Sequence, residues 1–400
     1  MSTFAVTNTA DSGAGSLRDA IGLANSSAGA STIDFDSTVF STPQTITLTG
    51  GQLELSNTSG METITGPAAG VTVSGGGLSR VFEIDPNVDS SISGLTITAG
   101  DVSGPGAGLA NFGGAVTLSD CTISGNSAVS GGGVYTGSYG TTTLNNSTVS
   151  GNSADVNGGG VYDSFGSTTL TNCTISGNSA AHGGGLYNFV GATSMTGCTV
   201  SGNFAVTGGG LAVFFGTSTL TNCAFSGDIA SVNGGGIYNN GGTTTLTECT
   251  FSGESASVNG GGLYNSNFGT ATLDQCTFSG DSASVNGGGM ANFSGTTTLS
   301  DCTLSGNAAA HGGGLYNFMG TAEFADCTVS GNSAVSGGGV DTNSGTTTLS
   351  GCSVSDNSAN ANGGGVFNYS GTTNLSDCVV SGNDAASSGG LGNYHYGTTT

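Results

Sequence analysis

One spacing constrains this chain more than any other feature. Ten cysteines recur along it, and Ser147 fills the one vacant place between the first two, so every step is 25, 26 or 27 residues. The cysteines are Cys121, Cys173, Cys198, Cys223, Cys249, Cys276, Cys302, Cys327, Cys352 and Cys378. A period near 26 residues is too short for a propeller blade and lacks the helical periodicity of ankyrin or tetratricopeptide arrays. It is typical of one coil of a β-solenoid.

Each repeat contains three short β-rich runs separated by Gly, Asn and Ser clusters. In residues 242–265 these runs read TTTL, CTFS and GGGLYN. The alternation of side chains along a strand points Leu246, Cys249 and Phe251 inward, so apolar residues line one interior. No coil has a core of its own, and stability comes from stacking neighbours. The pattern predicts an all-β, single-stranded parallel β-helix with three strands per coil.

A short helix is predicted near the N-terminus, where the sequence reads SLRDAIGLAN. Ser16 and Asp19 are spaced as a capping box, and Leu17, Ile21 and Ala24 share one helical face. We expect this helix to cover the N-terminal end of the coil stack.

The repeat divides the chain into three predicted regions. Residues 1–60 form the N-terminal cap with the first irregular strands, residues 61–105 form irregular β-helix coils, and residues 106–400 form the regular array. The final GTTT begins a new coil, so we expect the array to be truncated there. Residues 1–6 do not show the basic start and apolar run of a signal peptide, so we expect any export signal to lie outside these residues. No stretch reaches the roughly 20 apolar residues of a membrane span.

Charge excludes several classes of partner. The chain has no lysine, two arginines and 25 acidic residues, for a net charge of −23. Nucleic acid and anionic membrane surfaces are therefore excluded as partners. Only 7% of residues are charged, so the surface is mostly Ser, Thr, Asn and Gly.

The cysteines predict a ladder of free, buried thiols. One cysteine per coil at the same inward position gives a line with neighbours about 4.8 Å apart. Parallel side chains in such a line suit a relaxed disulfide poorly, and a line does not converge as four zinc ligands must.

Several segments resemble a known family. The run VTNTADSGAGSLRDAI, followed by TIDF, QTITL and SISGLTI, looks like the N-terminal part of bacterial right-handed parallel β-helix repeat proteins of the cell surface. The GGGLYN and CTFSGE units are similar to the polymorphic outer membrane protein repeats of autotransporter passengers. The resemblance implies right-handed coils and a secreted or outer-surface location.

Amides recur at the turn that follows the second run, and three coils depart from this. We expect the amides to bond to one another and to the backbone; they are Asn126, Asn152, Asn178, Asn203, Asn307, Asn332, Asn357 and Asn383. Asp228, Glu254 and Asp281 replace them in consecutive coils. Neighbouring carboxylates repel unless they are solvated, protonated or bridged by a cation. We expect exposure to solvent at this turn, and Ca²⁺ is the alternative, since it takes oxygen ligands.

Two outward rows are candidate binding surfaces. The first-run threonines would form a flat hydroxyl and methyl grid like that of ice-binding solenoids; its central members are Thr243, Thr245, Thr270 and Thr272. The aromatics after GGG could offer faces to glycans or proteins; they are Tyr135, Tyr162, Tyr187, Tyr238, Tyr264 and Tyr316. Both rows also have a simpler explanation, because Thr and Tyr suit strand surfaces and stacked aromatics stabilise a sheet.

Enzymatic activity is the alternative to a binding function. A uronate lyase needs cationic groups, and both arginines lie in the N-terminal region. A glycosidase needs two carboxylates roughly 5 to 9.5 Å apart, and the three turn carboxylates have no His or Arg beside them. His182 and His311 lack acidic neighbours in the sequence.

The sequence therefore favours a non-enzymatic, adhesin-like stalk that needs no cofactor and presents a Thr, Tyr and Asn face to a glycan or protein. A carbohydrate-active enzyme, either a polysaccharide lyase or a glycosidase, and an ice-binding protein are the alternatives.

Overall fold

A computed structural model describes residues 1–400 as a right-handed parallel β-solenoid of about 15 turns, with about 26 residues per turn and one short helix. The prediction of fold class is confirmed. The chain comprises two compact units, Met1–Ser194 and Met195–Thr400. No helix is long and apolar enough to cross a membrane.

Three long parallel sheets correspond to the three predicted runs. The first sheet contains the Thr-rich strands Ser2–Val6, Ser31–Phe35, Glu62–Thr65, Asp89–Ser93, Ala115–Ser119, Thr141–Asn145, Ser167–Thr171, Ala192–Thr196, Thr217–Thr221, Thr243–Thr247, Thr270–Asp274, Thr296–Ser300, Thr321–Ala325, Thr346–Ser350, Thr372–Ser376 and Thr398–Thr399. The second sheet contains the strands that follow the cysteines: Gln44–Thr47, Val71–Ser74, Leu95–Thr98, Thr122–Ser124, Thr148–Ser150, Thr174–Ser176, Thr199–Ser201, Ala224–Ser226, Thr250–Ser252, Thr277–Ser279, Thr303–Ser305, Thr328–Ser330, Ser353–Ser355 and Val379–Ser381. The third sheet contains the strands that follow the glycines: Leu53–Leu55, Phe82–Ile84, Leu109–Asn111, Val134–Gly137, Val161–Ser164, Leu186–Phe189, Leu211–Phe214, Ile237–Asn240, Leu263–Ser266, Met290–Phe293, Leu315–Phe318, Val340–Asn343, Val366–Tyr369 and Leu391–Tyr394.

A fourth set of short strands was not predicted. They lie between the second and third strands of several coils, in three small sheets: Asp101–Pro105, Ser127–Ser130 and Ser153–Asn157; Phe204–Thr207, Ile229–Asn233, Ser255–Ala256 and Ser282–Ala283; Ser333–Ser336, Ser358–Asn362 and Asp384–Ser387. Most of their residues are small or polar, and the large apolar ones, such as Phe204 and Ile229, are exposed. The strands therefore lack the pattern of large inward apolar residues by which a strand is recognised.

The helix spans Leu17–Asn25, with Ser16 as its N-cap. The Asp19 amide donates to Ser16 Oγ at 3.1 Å, and Asp19 Oδ2 accepts from the Gly15 amide at 2.9 Å. Leu17, Ile21 and Ala24 are buried. The capping box and its apolar face are confirmed.

The cysteine ladder is confirmed as free thiols, nine of them buried. Each thiol lies on the turn before a second-sheet strand, where its S–H can reach a carbonyl of its own turn. Cys121 Sγ, for example, donates to the Ser119 carbonyl at 3.3 Å. Ser147 does the same to the Asn145 carbonyl at 2.9 Å, which explains why it can stand in the cysteine place.

The amide ladder is also confirmed. Asn126 Nδ2 donates to Asn152 Oδ1 at 2.9 Å, and Asn332 Nδ2 donates both to Asn357 Oδ1 and to the Leu304 carbonyl at 2.9 Å. Each buried amide thus satisfies groups that the bend leaves unpaired.

Candidate active site

The threonine grid has the predicted orientation. Thr243 and Thr245 point outward on either side of the buried Thr244, and they lie in register with Thr270 and Thr272. Ice or ligand binding by this surface stays a prediction.

The tyrosine row is less open than expected. Rings of neighbouring coils pack on one another, with centroids 5.5 Å apart for Tyr135 and Tyr162 and 5.4 Å apart for Tyr238 and Tyr264. Tyr187 and Tyr316 are only 6% and 7% exposed. Burial raises the pKa of Tyr264 to about 12. The row is mainly a packed column, and only some of its members have accessible edges.

The three turn carboxyl groups are not exposed, and this expectation is wrong. Asp228, Glu254 and Asp281 point into the interior and are 0% exposed. They take the place of amides in the buried ladder: the Asp228 amide donates to Glu254 Oε2 at 2.8 Å, and the Glu254 amide donates to Asp281 Oδ1 at 2.9 Å. No group of three or more His, Cys, Asp or Glu side chains is arranged to hold a metal ion. Calcium binding stays a prediction, without support from this arrangement.

His311 has no acidic neighbour in the sequence, but the fold gives it one, so the expectation that it stands apart from carboxyl groups is wrong. Asp341, which is distant in sequence, lies one coil further along, and its Oδ2 is 3.5 Å from His311 Nδ1.

A second acidic site, absent from the predictions, lies at the start of the third sheet. Glu54 and Glu83 occupy the central, outward positions of neighbouring strands, Leu53–Leu55 and Phe82–Ile84, and face each other in register. Adjacent strands are about 4.8 Å apart, so two outward side chains in register are close neighbours. The signal was present in the sequence, because LEL and FEI both place one glutamate between two inward apolar residues.

The two glutamates have different surroundings. Glu83 Oε2 accepts hydrogen bonds from Arg80 Nη1 and from Gln52 Nε2, the latter at 2.6 Å. Glu54 is exposed and has no cation of this kind beside its carboxyl group. The negative charge of Asp85, partial desolvation and the charge of Glu83 raise the pKa of Glu54. The pair therefore combines a carboxylate held by an arginine with a carboxyl group whose pKa lies above its usual value.

Both arginines of the chain help to build this site. Arg80 is 8% exposed, donates to the carbonyls of Gly106 and Pro105 at 2.8 Å, and also donates to Gln52 Oε1 at 2.9 Å. Arg18 donates to the Gln52 carbonyl at 2.7 Å and so fixes the residue that leads into the Glu54 strand. Because these donors are already engaged, the arginines position Glu83 and Gln52 and leave little capacity to hold a substrate carboxylate.

Space and an aromatic surface adjoin the glutamate pair. A surface cavity of about 220 Å³ lies between the helix and the Glu54 strand, lined by Arg18, Ile21, Gly22, Asn25, Gln52, Leu53 and Glu54. On the other side the Arg80 guanidinium lies 5.2 Å from the centre of the Phe112 ring, which is 5.7 Å from Tyr135. The predicted tyrosine row thus begins at this site.

The comparisons identify the fold. The chain matches the family described as right handed beta helix region over residues 19–225 and 233–400, and it therefore belongs to that family. A search of curated proteins finds no match.

Among solved structures the chain is similar to a mannuronic acid specific polysaccharide family 6 lyase from human gut microbiota. The identity is 8%, the TM-score is 0.43, and the alignment covers 94% of this chain and 87% of the lyase. This finding contradicts the prediction of a non-enzymatic adhesin-like stalk, which is wrong by this comparison, and it agrees better with the carbohydrate-active alternative. A likeness this distant transfers neither a site nor a substrate, so the case for activity rests on the residues of this chain.

Proposed function

We propose that this protein is a carbohydrate-active enzyme that hydrolyses a neutral glycan at Glu54 and Glu83. The observation that carries the proposal is the in-register pair of outward glutamates, of which one is held by Arg80 and the other has a raised pKa. Glycoside hydrolysis uses two carboxyl groups with this division of roles.

Each glutamate has a defined step. The protonated Glu54 carboxyl group donates its proton to the glycosidic oxygen while the Glu83 carboxylate attacks the anomeric carbon, so the bond to the departing sugar breaks and a glycosyl ester forms. Water then attacks the same carbon, Glu54 takes its proton, and the ester bond to Glu83 breaks. Neighbouring strands about 4.8 Å apart suit the roughly 5 Å carboxyl separation of retaining enzymes.

Charge favours a neutral substrate. The chain carries a net charge of −23, and its two arginines are engaged in internal hydrogen bonds. A uronate polymer would meet repulsion and no free cation. Hydrolysis is therefore favoured over the lyase reaction, which needs a cationic partner for the substrate carboxylate.

The test is the release of reducing ends from a panel of neutral polysaccharides. Glu54→Gln and Glu83→Gln should each lower kcat by about 10²-fold or more, whereas Glu323→Gln, an exposed glutamate of the first sheet, should leave it unchanged. An activated fluoro-sugar should add its glycosyl mass to Glu83. Because Glu54 acts in its protonated form, activity should fall as pH rises through its raised pKa. Failure to cleave any neutral glycan, or full activity in both variants, would refute the proposal.

Tyr135 and Tyr162 are proposed to contact the sugar chain beyond the cleavage site. Both are partly exposed, and Tyr135 is linked to the site through Phe112. Tyr135→Ala should raise KM several-fold with little change in kcat, and Tyr264→Ala, in the other unit, is the matched control. Equal KM values in the two variants would argue against this role.

We further propose that the protein acts outside the cell, secreted or on the outer surface, as the resemblance to polymorphic outer membrane protein repeats implies. A polymeric glycan reaches an enzyme more readily there. Protease accessibility on intact cells of the source organism would test this, and complete protection until lysis would contradict it.

A further inference from the structure

Two aromatic columns of the third sheet are interrupted on a single strand. In the first column Asp341 lies in register between Tyr316 and Phe367 of the neighbouring strands. In the second column, two residues further along each strand, Asn343 lies between Phe318 and Tyr369. Both replacements are small. They leave a surface cavity of about 210 Å³, which we name the Asp341 slot; it is lined by His311, Tyr316, Asp341, Asn343, Phe367 and Tyr369.

Another small residue in the same column leaves no such slot. Ala291 lies between Tyr264 and Tyr316, but the Phe293 ring fills the space, 5.3 Å from Tyr264 and 5.5 Å from Tyr316. At the Asp341 strand the corresponding residue is Asn343, whose Nδ2 donates to Tyr316 Oη at 3.2 Å. The slot therefore exists because both positions of one strand lost their aromatic residue.

The base of the slot is a carboxyl group with incomplete pairing. Asp341 is 2% exposed, and its Oδ1 has no hydrogen-bond partner. Its Oδ2 lies 3.5 Å from His311 Nδ1, and that imidazole is 46% exposed. A buried carboxylate is costly unless a cation pairs with it. The chain has no lysine, and both arginines lie in the other unit, so the positive charge that this chain can place against Asp341 is that of protonated His311. His395 packs on the Tyr369 ring, 4.7 Å away between ring centres, and no ion pair joins it to Asp341.

We propose that the Asp341 slot binds a small organic ammonium cation, with Asp341 as its counter-charge and the rings of Tyr316, Phe367 and Tyr369 as its walls. Aromatic faces attract such cations through their negative electrostatic potential, and the attraction grows as water is excluded. The net charge of −23 adds a long-range attraction for any cation. This binding site is separate from the hydrolytic site and does not depend on it.

His311 regulates the slot, because it competes for the same carboxylate. A hydrogen bond to Asp341 raises the pKa of His311, so its protonated form persists to higher pH than usual. The titratable groups that face His311 are Asp341, whose own pKa is raised by burial, and the Tyr316 phenol, whose ring centre is 6.1 Å away. Ionisation of Asp341 and loss of the His311 proton therefore both favour the ligand as pH rises. Protonated His311 satisfies Asp341 and opposes the ligand; neutral His311 leaves the carboxylate to the ligand.

The test uses choline, whose charge does not change with pH, and its neutral carbon isostere neohexyl alcohol. Isothermal titration should give choline binding that tightens at least tenfold as pH rises through the pKa of His311, and weaker binding of the isostere by a similar factor. Asp341→Asn should weaken choline binding at least tenfold. Asp326→Asn, an exposed turn residue in the same unit, makes the same change in net charge and should have no effect.

Asn343→Phe separates the shape of the slot from its charge. The new ring should fill the space as Phe293 does at Ala291, and choline binding should be lost although Asp341 and His311 are retained. Absence of choline binding to the unaltered protein, equal affinity for the isostere, or unchanged binding in Asp341→Asn or Asn343→Phe would each overturn the proposal.

Discussion

Replacing the three buried ladder acids by amides should remove a large pH dependence of stability. Burial raises the pKa of Asp228 and of Asp281 to about 7, and burial with the charges of these two neighbours raises the pKa of Glu254 to about 10. In an unfolded chain such groups have pKa values of about 4. The folded protein thus keeps protons that the unfolded chain releases, so stability falls as pH rises.

The magnitude follows from the shifts. Below about pH 4 both states hold the protons, and the stabilisation is fully present. A shift of about 3 pKa units corresponds to about 4 kcal/mol per carboxyl group, so between about pH 4 and pH 7 the three groups together lose on the order of 10 kcal/mol. This is an upper limit, because part of a repeat array can open locally before the whole unfolds. Because the pKa of Glu254 is raised to about 10, its ionisation continues to lower the stability of the folded protein up to about that pH.

The protonated acids take over the role of an amide. In an ordinary coil Asn332 Nδ2 donates to the Leu304 carbonyl, whereas Asp228 Oδ2, Glu254 Oε1 and Asp281 Oδ2 have no hydrogen-bond partner. A protonated oxygen can donate as the amide nitrogen does, but an ionised one cannot. The triple variant Asp228→Asn, Glu254→Gln, Asp281→Asn should therefore restore a donor at every pH.

The assay is thermal denaturation followed by circular dichroism, across the acid to alkaline range. The unaltered protein should lose melting temperature steadily as pH rises, and the triple variant should lose much less. Glu62 and Asp163 remain in both proteins with pKa values raised by burial to about 7, so the difference between the two curves is the readout. The control variant replaces the exposed turn residues Asp301, Asp326 and Asp377 by Asn, which removes the same number of acidic groups from exposed positions. Parallel curves for the unaltered protein and the triple variant would refute the reasoning.

Three further predictions concern the interior. Cys249→Ser should lower the free energy of unfolding by about 1 kcal/mol or less, because Ser147 already occupies the equivalent position in another coil. Chemical denaturation measures this change, and a loss above about 3 kcal/mol would contradict the interpretation of the cysteines as a ladder of free thiols. Thr244→Val should leave the free energy of unfolding unchanged or raise it, because the buried Thr244 Oγ1 has no hydrogen-bond partner. Thr142→Val should lower it by about 1 to 2 kcal/mol, because Thr142 Oγ1 accepts a hydrogen bond from Thr136 Oγ1 at 2.7 Å. Equal effects of the two variants in the same assay would contradict this reasoning. Phe251→Ala should cost about 3 to 5 kcal/mol by leaving a cavity beside two stacked rings, and an unchanged melting temperature would be inconsistent with their packing.

The sequence by itself determined the coil. Like residues recur every 25 to 27 positions, and only stacking in register lets Cys249, Leu246 and their equivalents share one interior. Strand alternation, the thiol ladder and the amide ladder all follow from that period, because each is a property of one coil repeated.

Only the tertiary structure decided which departures from the repeat come together. Asp228 and its neighbours stood at a turn in the sequence, and the structure shows that this turn points its side chains inward. His311 and Asp341 are distant in sequence but lie in adjacent coils. Glu54 and Glu83 lie in the irregular coils, where the period gives no register. The physical reason is that a period fixes the average position of a side chain, whereas a site depends on exceptions, whose neighbours lie in adjacent coils.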